Sequence, residues 1–69
     1  MNIRKAIIKA RAKQKGITRQ KWMPYAATII PTNTSSCFIL VPFDEDDRIG
    51  RRWNPTAEDI LANDWQITG

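Results

Sequence analysis

The side chains able to do chemistry in this chain are flat rings set beside cations and amides. Trp22 follows Lys21, Tyr25 lies three residues on, Trp53 stands between Arg52 and Asn54, and Trp65 completes the set. Indole and phenol rings offer faces on which a nucleobase stacks, worth roughly 1–3 kcal/mol per base. Arg19, Lys21, Arg48, Arg51 and Arg52 offer charge-assisted bonds to phosphate. Thr32, Asn33, Thr34 and Asn54 add neutral hydrogen-bonding groups. Such a set holds a nucleotide-like anion. Nothing in it transforms one.

Catalytic constellations are hard to assemble. The chain has no histidine, which excludes a His-dependent triad and the usual zinc ligand sets. The single cysteine, Cys37, lies in an apolar run with no basic partner beside it, a setting of low reactivity. Asp59 and Asp64 could in principle form an acid–base pair. Their positions, however, suit the start and the end of a short helix, and capping is the simpler account of Asp59. Asp44-Glu45-Asp46-Asp47 lacks the alternating spacing of a calcium loop and reads as a solvated turn. The three glycines are isolated, so no phosphate-cradling loop is present. A non-enzyme with no resident cofactor or metal is expected.

These residues need elements to hold them. Residues 2–15 read as an amphipathic helix, with Asn2 as N-cap and Ile3, Ala6, Ile7, Ala10 and Gln14 on one face. Lysines cover much of the rest, and Gly16 suits the residue after the helix. Ile17-Thr18-Arg19 is β-prone, and Pro24 keeps Trp22 to Tyr25 irregular. Ala26 to Ile30 reads as a strand ended by Pro31, and residues 32–36 as a polar turn. Cys37 to Val41 is a continuous apolar run, expected to be a strand buried on both faces and ended by Pro42. Arg48 to Trp53 returns as another strand. Thr56 then caps a short helix, with Asp59 three residues on as in a capping box. Ile60, Leu61 and Ala62 are expected to form its buried side. Trp65-Gln66-Ile67 alternates as a last strand, with Trp65 as a core anchor.

The expected fold is therefore α+β: a small antiparallel β-sheet with an N-terminal amphipathic helix and a short C-terminal helix. Residues 1–69 form a single domain, near the lower limit for a self-sufficient core. One cysteine allows no internal disulfide, which leaves association between copies as the route to added stability. A lone cysteine also fits a reducing, intracellular setting. No apolar run is long enough for a leader or a membrane span.

Charge is segregated. Residues 1–43 carry eight Lys or Arg and no acid, whereas residues 44–69 carry three Arg and all seven acids. A basic helix of this kind suits an anion, although a solvated helix face is the more ordinary reading. A helix-turn-helix module pairs its reading helix with a second one, and none is apparent here, so nucleic acid is not an expected partner.

Three stretches together resemble a known family. They are the short helix leading into Ile17-Thr18-Arg19-x-x-Trp22, then Ile30-Pro31-Thr32-Asn33-Thr34, and then the run from Arg52 through Trp53-Asn54-Pro55 to Ala62-Asn63-Asp64-Trp65. They are similar to the second type of Thoeris anti-defence protein of phages and prophages, over nearly the whole chain. The resemblance implies a sponge that sequesters a cyclic ADP-ribose-type immune signal, in some members cyclic oligonucleotides, without cleaving it. It implies a homotetramer, a dimer of dimers, with pockets at subunit contacts, working in the cytoplasm of the infected bacterial host. One relative is described as an anti-CRISPR protein, so a protein-binding inhibitor is the alternative. This chain departs from longer members in having Lys21 where they have Gly, and in a shorter insert between the central strands. On this basis Trp22 and Trp53 are expected to stack on ligand rings and Arg19 to hold phosphate. Asn63 and Asp64 would bond ribose hydroxyls or a base edge, with Thr32, Asn33 and Asn54 completing the ligand-binding set.

Overall fold

The structure is a computed structural model that describes residues 1–35, 37–42 and 51–68. The acidic stretch Asp44 to Asp47, Arg48 and Ser36 lie outside the described residues. Helix α1 spans Ile3–Lys13, and the strands are β1 (Gly16–Arg19), β2 (Thr28–Ile30), β3 (Ile39–Val41), β4 (Arg51–Arg52) and β5 (Trp65–Thr68). A 3-10 turn, Gln20–Trp22, follows β1, and helix α2 spans Ala57–Leu61. The strands form one sheet in the order β4-β3-β2-β1-β5, and every pairing is antiparallel. This is the α+β architecture that the sequence pattern implies.

α1 starts where Asn2 accepts a hydrogen bond from the Lys5 amide, at 2.9 Å. It ends at Gln14, whose left-handed backbone (φ 54°) lets its amide reach the carbonyls of Ala10 and Arg11. Gly16 is therefore not the helix terminator but the first residue of β1. A side chain there would strike the Thr28 side chain and come within 3.0 Å of the Ile29 carbonyl. Ala6 and Ala10 are fully buried, and their small size lets α1 lie close against β1 and β5.

Register builds one continuous apolar row. Ile67 stands opposite Ile17, Ile17 opposite Ile29, and Ile29 opposite Leu40. Directly opposed residues share a sheet face. The core of Ala6, Ala10, Ile17, Ile29 and Trp65 gathers on this face. Arg19, opposite Trp65, and Arg51, opposite Leu40, project from it too.

Three expectations are corrected. The run from Cys37 to Val41 becomes a strand only at Ile39, and its three residues are half-buried. Cys37 is exposed in a left-handed conformation (φ 61°) that stops the strand before it. Ile39 and Val41 alternate with Leu40, so they point away from the face that carries the core. The expected strand from Ala26 begins at Thr28; of the one expected over Arg48 to Trp53, Arg51–Arg52 is strand and residues 48–50 lie outside the described residues. Finally, Ile60 and Leu61 are not the buried side of α2: they are 44% and 76% exposed. The helix is tied in by the side chain and carbonyl of Asp59. Ala62 packs half-buried against the core, Ile60 borders a hollow with Ile3 and Ile7, and Leu61 faces outward.

Candidate functional site

The site has two layers, one closed and one open. The closed layer centres on Arg19, only 6% exposed. Its Nε donates to Asp64 Oδ1 at 2.8 Å, and its Nη1 donates to Asp59 Oδ1 at 2.9 Å and to Glu58 Oε2 at 3.5 Å. The second carboxylate oxygen of Asp64 accepts the Lys21 amide at 3.0 Å, and its carbonyl accepts the Gln20 amide at 3.0 Å. Lys21 Nζ also reaches Glu58. Two of these acids come from the start of α2, where Thr56 and Asp59 form the expected capping box. The Arg19 guanidinium thus ties the end of β1 to α2 and to the residue before β5, and Asp64 in turn holds the 3-10 turn.

Electrostatics follow from this geometry. The hydrogen bond from Arg19 holds Asp64 below the usual carboxylate range, against some desolvation. Glu58 is lowered chiefly by Lys21 and then by Arg19. For Asp59 the largest single influence, burial, raises its pKa, but bonds from the Thr56 amide and Arg19 together outweigh it and the net shift is downward. Arg19 is raised, Asp64 contributing most. All three acids are held ionised at neutral pH, so Asp59 and Asp64 are poor proton carriers. Their arrangement is that of a structural clamp.

The open layer is a cleft of about 610 Å³. Trp22, Tyr25 and Trp53 supply aromatic walls, Arg51, Arg52 and Asn54 supply polar groups, and Ala27, Leu40 and Asp59 complete the lining. The wall indoles are set by the buried Trp65. Trp22 meets it edge-on at 5.5 Å (83°) and Trp53 edge-on at 5.7 Å (80°), while Phe38 stacks on Trp53 at 6.0 Å. Trp65 is itself fixed by donating from Nε1 to the Asp59 carbonyl at 2.8 Å. Asp59 therefore joins the two layers: its side chain holds Arg19 and its carbonyl holds the ring that orients both walls. Arg52 donates to the Ser35 carbonyl at 3.3 Å, and Arg51 has no carboxylate partner among the described residues.

The eight residues singled out in the sequence fall into different places. Trp22, Trp53 and Asn54 meet in the cleft. Arg19 and Asp64 lie in the clamp, where a phosphate would have to displace a carboxylate from Arg19. Asn63 is exposed, and its carbonyl accepts the Met1 ammonium at 3.1 Å. Thr32 and Asn33 line a separate cleft of about 430 Å³ with Arg11, Gln14 and Lys15. Tyr25, Arg51, Arg52 and Asp59 line the main cleft but were not among the eight. The sequence marks Tyr25 as a stacking ring and Arg51 and Arg52 as phosphate-binding groups, whereas it marks Asp59 as a cap. Among the described residues no group of His, Cys, Asp and Glu could hold a metal ion, and no helix is long and apolar enough to cross a membrane.

Neither a search of curated proteins nor one of solved structures finds a match. A family model does match, that of the Thoeris anti-defense 2-like domain, over residues 1–68, and the chain belongs to that family.

Proposed function

We propose that this protein is a sponge that binds a cyclic nucleotide-type immune signal and sequesters it without cleaving it. Its family supports a role against Thoeris defence; the ligand and the mode of action are our reading of the site. The observation that carries it is the open cleft, in which two half-buried indoles stand beside an arginine with no acid partner among the described residues. Its volume, about 610 Å³, falls within the range of roughly 300–1,000 Å³ for small-molecule sites. A glycocyclic ADP-ribose or a cyclic dinucleotide has rings for Trp22 and Trp53, phosphates for Arg51 and Arg52, and hydroxyls for Asn54. Arg19 and Asp64 act from behind, by holding the turn that carries Trp22.

Asp59 and Asp64 are engaged by Arg19 and by backbone amides, and this structural role supports a reading of capture rather than catalysis. A homotetramer, a dimer of dimers, completes the reading. Subunit contacts would close a cleft that is open in one chain, and would bring the exposed Asn63 of one copy to the ligand of another. The site of action is the cytoplasm of the infected host.

Calorimetry of the purified protein with glycocyclic ADP-ribose isomers and cyclic dinucleotides tests this. Saturable heat is expected with at least one of them, and intact ligand should be recovered after denaturing the complex. Trp22→Ala should weaken binding by roughly 1–3 kcal/mol, about 5- to 150-fold in Kd. No heat with any ligand removes the sponge reading, and recovery of a cleaved product replaces it with an enzyme.

A further inference from the structure

Helix α1 presents a solvent face with charges of one sign. Lys5, Lys9 and Lys13 recur at every fourth residue and form one ridge, while Arg4 and Arg11 form a second. Ile8 and Ala12 lie between the ridges, and all seven residues are exposed. Every ion pair among the described residues belongs to Arg19 or Lys21, so none of these five cations has an acidic partner there. The first turn of α1 contains no acid either. Lysines four residues apart repel one another on a helix. An ordinary solvated face mixes both signs, and this one does not. The opposite face of α1 is fixed to the sheet through Ala6 and Ala10, which holds the basic face outward.

We infer that the basic face of α1 binds double-stranded DNA, lying in the major groove with one ridge on each phosphate wall. A helix with its side chains is about 10–12 Å across, and the major groove is about 12 Å wide and admits one. The ridges diverge on either side of Ile8 and Ala12, so they reach opposite strands while these two residues meet the groove floor. An exposed isoleucine there is suited to thymine methyl groups. The major groove of A-form RNA is too narrow for this placement. A membrane-surface helix needs a broad apolar face, and Ile8 is the one large apolar residue on this face. The second helix that sequence reasoning found missing is not needed, because the sheet positions α1 instead. Contacts are mostly to phosphate, so affinity depends weakly on base sequence.

The test is fluorescence anisotropy of a labelled 20-base-pair duplex with the full chain between 50 and 200 mM salt. If all five cations meet phosphates, log K should fall against log salt with a slope of about −4.5. Replacing Lys5, Lys9 and Lys13 together by Gln should reduce that slope by about 2.7. It should leave the melting temperature unchanged or higher, since glutamine keeps helix propensity and the repulsion is gone. Ile8→Glu, which puts a carboxylate at the groove floor, should weaken binding at least tenfold. The proposal is overturned by no saturable binding at 50 mM salt, or by a slope the triple variant does not change. Tighter binding to phosphatidylserine vesicles than to the duplex also overturns it, in favour of a membrane surface.

Discussion

Arg19 and Arg51 project from the same face of one sheet and have opposite surroundings. Arg19 is buried and bonded to three carboxylates, whereas Arg51 lines an open cleft with no acid paired to it among the described residues. An arginine with its donors committed to acids fixes backbone, and one with its donors uncommitted is available to a ligand's phosphate. The difference lies in what the chain places opposite each residue. Asp64, Asp59 and Glu58 are brought to Arg19 from 45, 40 and 39 residues away. The comparison can be broken by showing that the clamp binds ligand or that the cleft supports the fold.

The largest effect is expected where the layers meet. Trp65 is 1% exposed, packs edge-on against both wall indoles and bonds the Asp59 carbonyl. Trp65→Ala should cost about 3–5 kcal/mol in denaturant unfolding, as for other large buried aromatics. In so small a domain that approaches the whole stability. A loss below about 1 kcal/mol would mean that the cleft walls are not held from beneath.

Next comes the clamp, tested through pH. Asp64, Asp59 and Glu58 all have lowered pKa values in the folded state. A carboxylate lowered by folding adds stability above its unfolded pKa, about 4, and loses it as pH falls through the folded value. Thermal melts should therefore show stability falling below about pH 4. Arg19 is shifted upward, so its own contribution is lost only in strongly alkaline solution. Arg19→Gln should destabilise the protein at pH 7 and flatten the acid fall, because the three carboxylates lose their shared cation. An acid fall of unchanged steepness would show that Arg19 does not set their ionisation.

The clamp also marks where sequence reading stops. Caps were legible because they are local: Asn2 reaches Lys5, and Thr56 exchanges bonds with Asp59, each within three residues. The final strand and its buried tryptophan were legible from alternation. The partners of Arg19 were not, because no periodicity encodes a contact across 45 residues. The same holds for Ile60 and Leu61. Their apolar character suggested burial, but α2 is tied in through Asp59, and Ala62 is the residue that packs against the core. The cleft was half legible: Trp22, Trp53 and Asn54 were recognised as chemistry, while the separation of Thr32 and Asn33 from them depends on topology.

A smaller effect should come from the cap. Thr56→Ala removes the acceptor for the Asp59 amide at 3.2 Å and should cost about 1 kcal/mol. It sharpens the comparison because Asp59 serves both layers. Loosening its backbone should weaken ligand binding alongside stability, although Thr56 does not line the cleft. Equal stability loss with unchanged ligand affinity would separate the cap from the site.

The smallest effect is expected at Leu61. It is 76% exposed and belongs to neither layer in a single chain. Leu61→Ser should then shift stability by no more than about 0.5 kcal/mol, as is usual for exposed positions. That expectation holds only if α2 keeps its outward face in solution. In a tetramer whose contacts cover α2, the same substitution would lower the melting temperature by an amount that grows as the protein is diluted, because association is coupled to folding. Melting at two concentrations separates the outcomes. A concentration-independent shift within the small range leaves Leu61 at the free surface. A larger, dilution-sensitive one places it in a subunit contact, on the helix that also carries the acids of the clamp.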